Sequence, residues 1–322
     1  MRRLLHNPLL IIFLILAGAV AKTTMADDDI PVITAAPDKG FNYPYILRIP
    51  PGISRTTNLV LVVEPNNTGT ASDDFDVHLE AAKKQAKHSI GSFVAGKLQQ
   101  PLLIPVFPRS RTEWQIYTHA LDRDVMMLPK GPMQRLDLQL LAMVDDARER
   151  LTQQGYTIDK KIMLNGFSAS GNFVNRFALL HPERVLAVAA GGVNGLLMLP
   201  LQQLAGVDLL YPLGLKDYEN ITGSPFNIES WRKVSQFIYM GAEDDNDAVL
   251  FDDAYSESER DVIFEVIGKQ ILPDRWAKCR AVYESQDAAV AFKTYPGIGH
   301  ATDRDICYEI LSFFQSVVND PE

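Results

Sequence analysis

The chain has 322 residues, 47% of them hydrophobic, and a formal net charge of -9. That length and apolar content suffice for one large core, read here as a single domain carrying insertions. The acidic balance lacks the basic stripe that a phosphate backbone requires, which argues against nucleic acid as a partner. Two cysteines without Cys-x-x-Cys or His/Cys metal spacing argue against redox-motif and zinc chemistry.

The chain opens with Arg2 and Arg3, an apolar run over residues 9–16, and the small residues Ala19-Val20-Ala21. These are the three parts of a secretory signal peptide, residues 1–21, with cleavage expected after Ala21 and a second cleavage site at Thr24-Met25-Ala26. The apolar run is short against the ~20 residues that cross a bilayer, so an uncleaved anchor is the lesser reading. No later segment is long and apolar enough to span. A secreted or periplasmic protein with no stable membrane insertion after signal cleavage is expected, and losing Arg2 and Arg3 takes its net charge from -9 to -11.

Residues 22–40 read as a polar linker and 41–322 as the folded domain. Runs of β-branched and aliphatic residues at 43–49 and 58–63, bounded by Pro and Gly, predict strands, followed by a helix over about 73–88 and a strand over 102–107. Helical periodicity returns over 136–151 and stops near Gly155. Next come a strand, a helix ending at His181, and a strand over 185–190. Two more strands are predicted at 234–240 and 290–295. Near-continuous apolar strands alternating with helices predict an α/β fold, a doubly wound and mostly parallel sheet covered on both faces. Residues 108–132, 193–227 and 250–286 break the alternation and are expected to form loop and helical cap insertions over the strand C-terminal ends, where such folds bind ligands.

The most informative stretch is Ile162-Met163-Leu164-Asn165-Gly166-Phe167-Ser168-Ala169-Ser170-Gly171-Asn172-Phe173-Val174. It reads as a buried strand, a cramped turn with a serine at its apex, and a helix, which is the layout of a nucleophile elbow. Small residues are needed two positions either side of the serine, and Gly166 and Ser170 stand there. A serine hydroxyl needs an imidazole to take its proton and a carboxylate to orient that imidazole. Gly241-Ala242-Glu243-Asp244 follows the strand ending at Met240, and Gly297-Ile298-Gly299-His300 follows the strand ending at Tyr295. The candidates Ser168, Asp244 and His300 thus stand in the order Ser, Asp, His, each after a sheet strand. Glu243, Asp245 and Asp247 crowd the same loop as Asp244. Asp244 is preferred, with Asp247 the alternative.

From about Tyr43 to the C-terminus, this order and the Gly166-Phe167-Ser168-Ala169-Ser170-Gly171 elbow resemble the α/β-hydrolase superfamily, and within it secreted esterase and polyhydroxybutyrate-depolymerase-like bacterial hydrolases. The resemblance implies a serine hydrolase that cleaves carboxylic esters of a small-molecule or polymeric substrate through an acyl-enzyme, without cofactor or metal. A serine peptidase on the same fold and a non-catalytic binding protein on a hydrolase scaffold are the alternatives. It also implies an oxyanion hole of two main-chain N–H groups, one from Ala169 and one from the loop after the strand ending at Val63. Asn67 is the second donor, or Asn66 if the turn is one residue tighter; the His-Gly usual in such a loop is missing.

Four further readings concern single residues. His119 precedes Ser168, the wrong order for the base, and is a candidate for the pocket wall. Trp114 and Tyr117 either contact substrate or pack beneath their loop. The acidic residues from Glu243 to Asp253 read as a solvated loop, since calcium-loop spacing and its central glycine are missing. Cys279 and Cys307 are either one disulfide between the late insertion and the last helix or two free thiols.

Overall fold

The computed structural model describes residues 30–319 except residue 68. The signal peptide and the start of the linker lie outside the described residues. The linker's second half does not run free: β1 (Val32–Ile33) pairs antiparallel with β2 (Tyr45–Arg48), and Ala36 bridges Phe41. The order continues with β3 (Asn58–Val63), α1 (Phe75–His88), α2 (Ile90–Leu98), β4 (Leu102–Pro105), α3 (Arg123–Met127) and α4 (Leu136–Gln153). Next come β5 (Thr157–Phe167), α5 (Ala169–Leu180), β6 (Val185–Gly191), the short hairpin β7 (Gln203–Leu204) and β8 (Val207–Asp208), α6 (Tyr218–Thr222) and α7 (Ile228–Arg232). The chain closes with β9 (Ser235–Gly241), α8 (Glu257–Val262), α9 (Trp276–Ser285), β10 (Val290–Tyr295) and α10 (Arg304–Asn319).

Eight strands form one sheet in the order β1-β2-β4-β3-β5-β6-β9-β10. β2 is antiparallel to both its neighbours, and every pairing from β4 through β10 is parallel. Successive strand residues point to opposite faces, and here both faces are apolar. Leu61, Val63, Leu164, Val188, Ile238 and Met240 join the core under α4, α5 and α9, while Val60, Val62, Met163, Ala187 and Tyr239 join the core under α1, α2 and α10. α10 meets that second core with Ile306, Ile310 and Phe314, spaced four apart on one helical face. This is the two-sided covering that the continuous apolar runs predict.

α2 and the five-residue α7 are absent from the sequence reading. α2 contains Gly91 and Gly96 and gives little periodic signal, yet it forms because Ser89 closes α1 and caps α2, its hydroxyl accepting from Ser92 N at 3.1 Å. The two cysteines are free thiols, Cys279 buried with its sulfur 3.4 Å from Leu197 N, and Cys307 on α10.

α5 is the helix on which the rest is mounted, and all its residues are buried. Phe173 and Phe177 stack on each other with ring centres 6.3 Å apart, and Phe173 stacks on Phe107 at 6.1 Å. Truncating Phe177 to Ala should cost about 3–5 kcal/mol by transfer plus cavity. A urea-denaturation midpoint within about 1 kcal/mol of wild type (converted through a slope of about 1–3 kcal/mol/M) would show that α5 is not held by this stack.

Candidate active site

β5 enters the site through Asn165-Gly166-Phe167, and Ser168 turns the chain into α5 with φ 61° and ψ -125°. A side-chain-bearing residue pays of order 1–3 kcal/mol for such a conformation, which turns its hydroxyl out of the sheet edge. The turn closes because its flanks are bare: a Cβ on Gly166 would sit 2.2 Å from Ser170 O, and one on Gly171 2.4 Å from Gly191 O. Ser170 stands where a glycine is usual, and its hydroxyl is used. It donates to Phe167 O at 2.9 Å and accepts from Phe167 N at 3.0 Å, clasping the elbow across its base.

The neighbouring strands carry the other two loops to the same edge. Beyond the strand ends the ladder continues, with Ser168 N donating to Gly191 O (2.9 Å), Gly192 N to Tyr239 O (3.0 Å) and Ala242 N to Tyr295 O (2.8 Å). Glu243 N donates to Ile298 O at 2.9 Å, and a Cβ on Gly241 would lie 2.1 Å from that same oxygen, so the acid loop and the histidine loop lie directly on each other. His300 Nε2 is 2.9 Å from Ser168 Oγ, and its Nδ1 is 2.9 and 3.1 Å from the two oxygens of Asp244. The Asp244 side chain is buried, and Phe167 packs on the imidazole with ring centres 4.9 Å apart. Of the two acids weighed on this loop, Asp244 meets His300. Asp247 instead meets Arg275, fully buried, at 2.7 Å, and Arg275 finds no hydrogen-bonded acceptor of good geometry among the described residues.

Two acids further along the stretch also have cationic partners: Asp252 pairs with Arg260 at 2.8 Å and Asp253 with Arg109 at 2.6 Å. Ala169 heads α5, where the first N–H groups have no intrahelical acceptor. Asn67 borders the same cavity. Its N–H makes a long 3.4 Å bond to Gln85 Oε1 and its side chain donates to Phe167 O at 3.2 Å, while Asn66 is turned inward onto Phe107. His119 is not on the pocket wall. It is 1% exposed, Nε2 contacts Phe107 O at 2.9 Å, and burial pushes its pKa down to about 3, which keeps the ring neutral. Tyr117 does border the cavity, beneath Arg109 at 4.1 Å, whereas Trp114 lies at the surface.

The cavity beside Ser168 measures about 520 Å³. Each of the three insertions contributes to it, through Arg109 and Tyr117, through Asn194, and through Phe251 and Tyr255. Two of its residues carry no mark in the sequence reading. Asn246 Nδ2 lies 3.2 Å from His300 Nε2, the nitrogen that also faces Ser168, and Arg176 reaches the cavity from α5. Asn172 and Arg176 are four apart on α5 and so share one helical face, a spacing from which they are in principle readable.

No protein-family model matches the sequence, and no curated protein does. Among solved structures, poly(aspartic acid) hydrolase-1 from Sphingomonas sp. KT-1 is similar with a TM-score of 0.53 at 19% identity, over 85% of this chain and 94% of that one. The fluorophosphonate-binding serine hydrolase F of Staphylococcus aureus is similar at a TM-score of 0.49 and 13% identity, over 90% of this chain and 99% of that one. The mixed eight-stranded sheet with flanking helices is the α/β-hydrolase fold. No helix among the described residues is long and apolar enough to cross a membrane.

Beneath the elbow lies a buried carboxyl. Glu64 accepts from Asn165 Nδ2 at 2.9 Å, Gly91 N at 3.0 Å and the Ser89 hydroxyl, but burial outweighs these donors and pushes its pKa up to about 7. A carboxyl that holds its proton more tightly folded than unfolded adds stability at low pH, and that stability is lost as pH rises from about 4.5 through about 7. Relative to Glu64→Gln, which does not titrate, wild type should therefore lose on the order of 2 kcal/mol between pH 5 and pH 8. Parallel denaturant curves at the two pH values measure it; an unchanged gap would mean that Glu64 keeps an ordinary carboxyl affinity.

Proposed function

We propose that the protein is a serine hydrolase of carboxylic esters, with Ser168 as nucleophile, His300 as base and then acid, and Asp244 as the residue that orients His300. The observation that carries this reading is the unbroken line from Ser168 Oγ through the imidazole to Asp244, with every link between 2.9 and 3.1 Å. Ser168 Oγ attacks the ester carbonyl while His300 Nε2 takes its proton. The tetrahedral oxyanion is held by main-chain N–H groups, for which we assign Ala169 and Asn67. Collapse breaks the carbon–oxygen bond to the alcohol, which leaves with the proton from His300. Water then attacks the acyl-Ser168 ester, giving its proton to His300, and the acid departs as Ser168 is restored.

The elbow Gly166-Phe167-Ser168-Ala169-Ser170-Gly171 supports placing the chain with secreted esterases and polyhydroxybutyrate-depolymerase-like hydrolases. The basic, apolar and small-residue order of residues 1–21 supports action outside the cytoplasm.

A fluorophosphonate should label purified protein at Ser168, and Ser168→Ala should abolish both labelling and turnover of p-nitrophenyl esters, by about 10⁴-fold or more in kcat. Label mapped to another residue, or more than a few per cent residual activity, would remove Ser168 from the role. Asp244→Asn should cut kcat by about 10³–10⁴-fold with little change in stability. Asp247→Asn should do the reverse, keeping most of kcat but losing about 3 kcal/mol of stability, because Arg275 would be left buried without its counter-charge. Equal small losses of kcat in the two variants would place the acid elsewhere.

A further inference from the structure

The cavity beside Ser168 holds a charge that the serine chemistry does not use. Asn172 and Arg176 are four apart on α5 and so share one face, Ser168 immediately precedes that helix, and all three line the cavity. Arg176 is 3% exposed. Its Nη1 donates to Ala120 O at 2.9 Å and more weakly to Leu121 O at 3.5 Å, and its Nη2 donates to the Tyr255 hydroxyl at 2.9 Å. Every one of these acceptors is neutral. Among the described residues Arg176 makes no ion pair.

The other cavity charges are already committed. Arg109 is paired with Asp253 at 2.6 Å and lies over the Tyr117 ring, and His300 is held between Ser168 and Asp244. Asp122, a buried carboxyl near Arg176, accepts from the N–H groups of Tyr117 and Val125, both at 2.9 Å, and burial pushes it up to about 7. The lining thus carries two guanidiniums against one carboxylate, inside a protein whose overall charge is negative. A guanidinium held out of water is costly unless an anion meets it, and its planar fork matches a carboxylate.

Building on the reading of Ser168 as the nucleophile, we propose that Arg176 is an anion subsite and that the substrates are esters carrying a second, ionised carboxylate on the arm that enters the cavity. Eight helical residues put the Cα atoms of Ser168 and Arg176 about 12 Å apart along the axis. Helix side chains lean towards the N-terminus, which brings the guanidinium nearer the serine. A spacer of about four to six methylenes between ester and carboxylate fits that separation.

The test compares length-matched esters on the intact mature protein. On the acyl side the pairs are monomethyl adipate with methyl hexanoate and monomethyl suberate with methyl octanoate; on the alcohol side, 6-acetoxyhexanoate with hexyl acetate. Wild type should favour the anionic member of at least one pair by about tenfold or more in kcat/KM, and Arg176→Met should bring that ratio close to one. Binding of monomethyl adipate to Ser168→Ala, followed by calorimetry, reads the subsite without turnover and should exceed binding of methyl hexanoate by a similar factor. Binding selectivity without turnover would keep the subsite and overturn the esterase reading. Turnover of neutral and anionic esters at equal rates, with equal binding, would overturn the subsite and leave the esterase reading standing. A wild-type ratio near one overturns the subsite even where Arg176→Met does not fold.

Discussion

The site depends on a single residue held in a backbone conformation that side chains disfavour. Ser168 at φ 61° and ψ -125° lies between a strand and a helix that would each relax it if free to move. Neither is free. β5 is paired on both sides, with β3 and β6, and the elbow's own N–H extends the second ladder to Gly191. α5 is buried along its whole length, and its Phe173 stacks on Phe107 from outside the helix. The strain is thus offset by packing distant from the hydroxyl, and Gly166 and Gly171 permit it by leaving no Cβ where backbone oxygens pass.

The same logic places the other two groups. His300 and Asp244 sit on loops, which are ordinarily the most mobile parts of a domain. Their positions are fixed because the ladder continues past β9 and β10 and because Gly241 lets the two loops lie in direct contact. Arg275 adds a second anchor through Asp247, three residues beyond Asp244. The acidic loop therefore divides its labour, one carboxylate oriented on the imidazole and another holding the loop to the insertion that carries Arg275.

What can be read from the sequence follows from how local each signal is. The strands of the central sheet are legible because both faces are buried and leave apolar runs, and the order of Ser168, Asp244 and His300 is legible because each follows such a run. Choosing between Asp244 and Asp247 requires the fold, since residues three apart on a loop carry no periodicity. α2 escapes a reading by pattern because it is held by a cap at Ser89 and by Glu64, distant in sequence just after β3, receiving Gly91 N. β1 is hidden because two residues give no alternation, and it exists only through pairing with β2. His119 departs from expectation for a different reason: loop residues tend to be exposed, but this loop folds over β4, where Phe107 O and Asn66 supply a buried ring with partners.

The lining of the cavity constrains the substrate beyond the reacting bond. Ligand pockets are mostly apolar with a few polar groups; here Asn67, Asn172, Asn194 and Asn246 all border the space, together with Arg109, Arg176 and Asp253. Asparagine amides keep their neutral charge at every pH and both donate and accept, so they can meet a polar chain without electrostatic conflict. An aliphatic acyl group with no polar or charged end would strip water from these amides and give no hydrogen bonds in return. Asn246 adds a constraint on the chemistry. Its amide nitrogen lies 3.2 Å from His300 Nε2, the atom that also faces the Ser168 hydroxyl. In the proposed mechanism, a protonated His300 Nε2 can be met only by the carbonyl end of that amide.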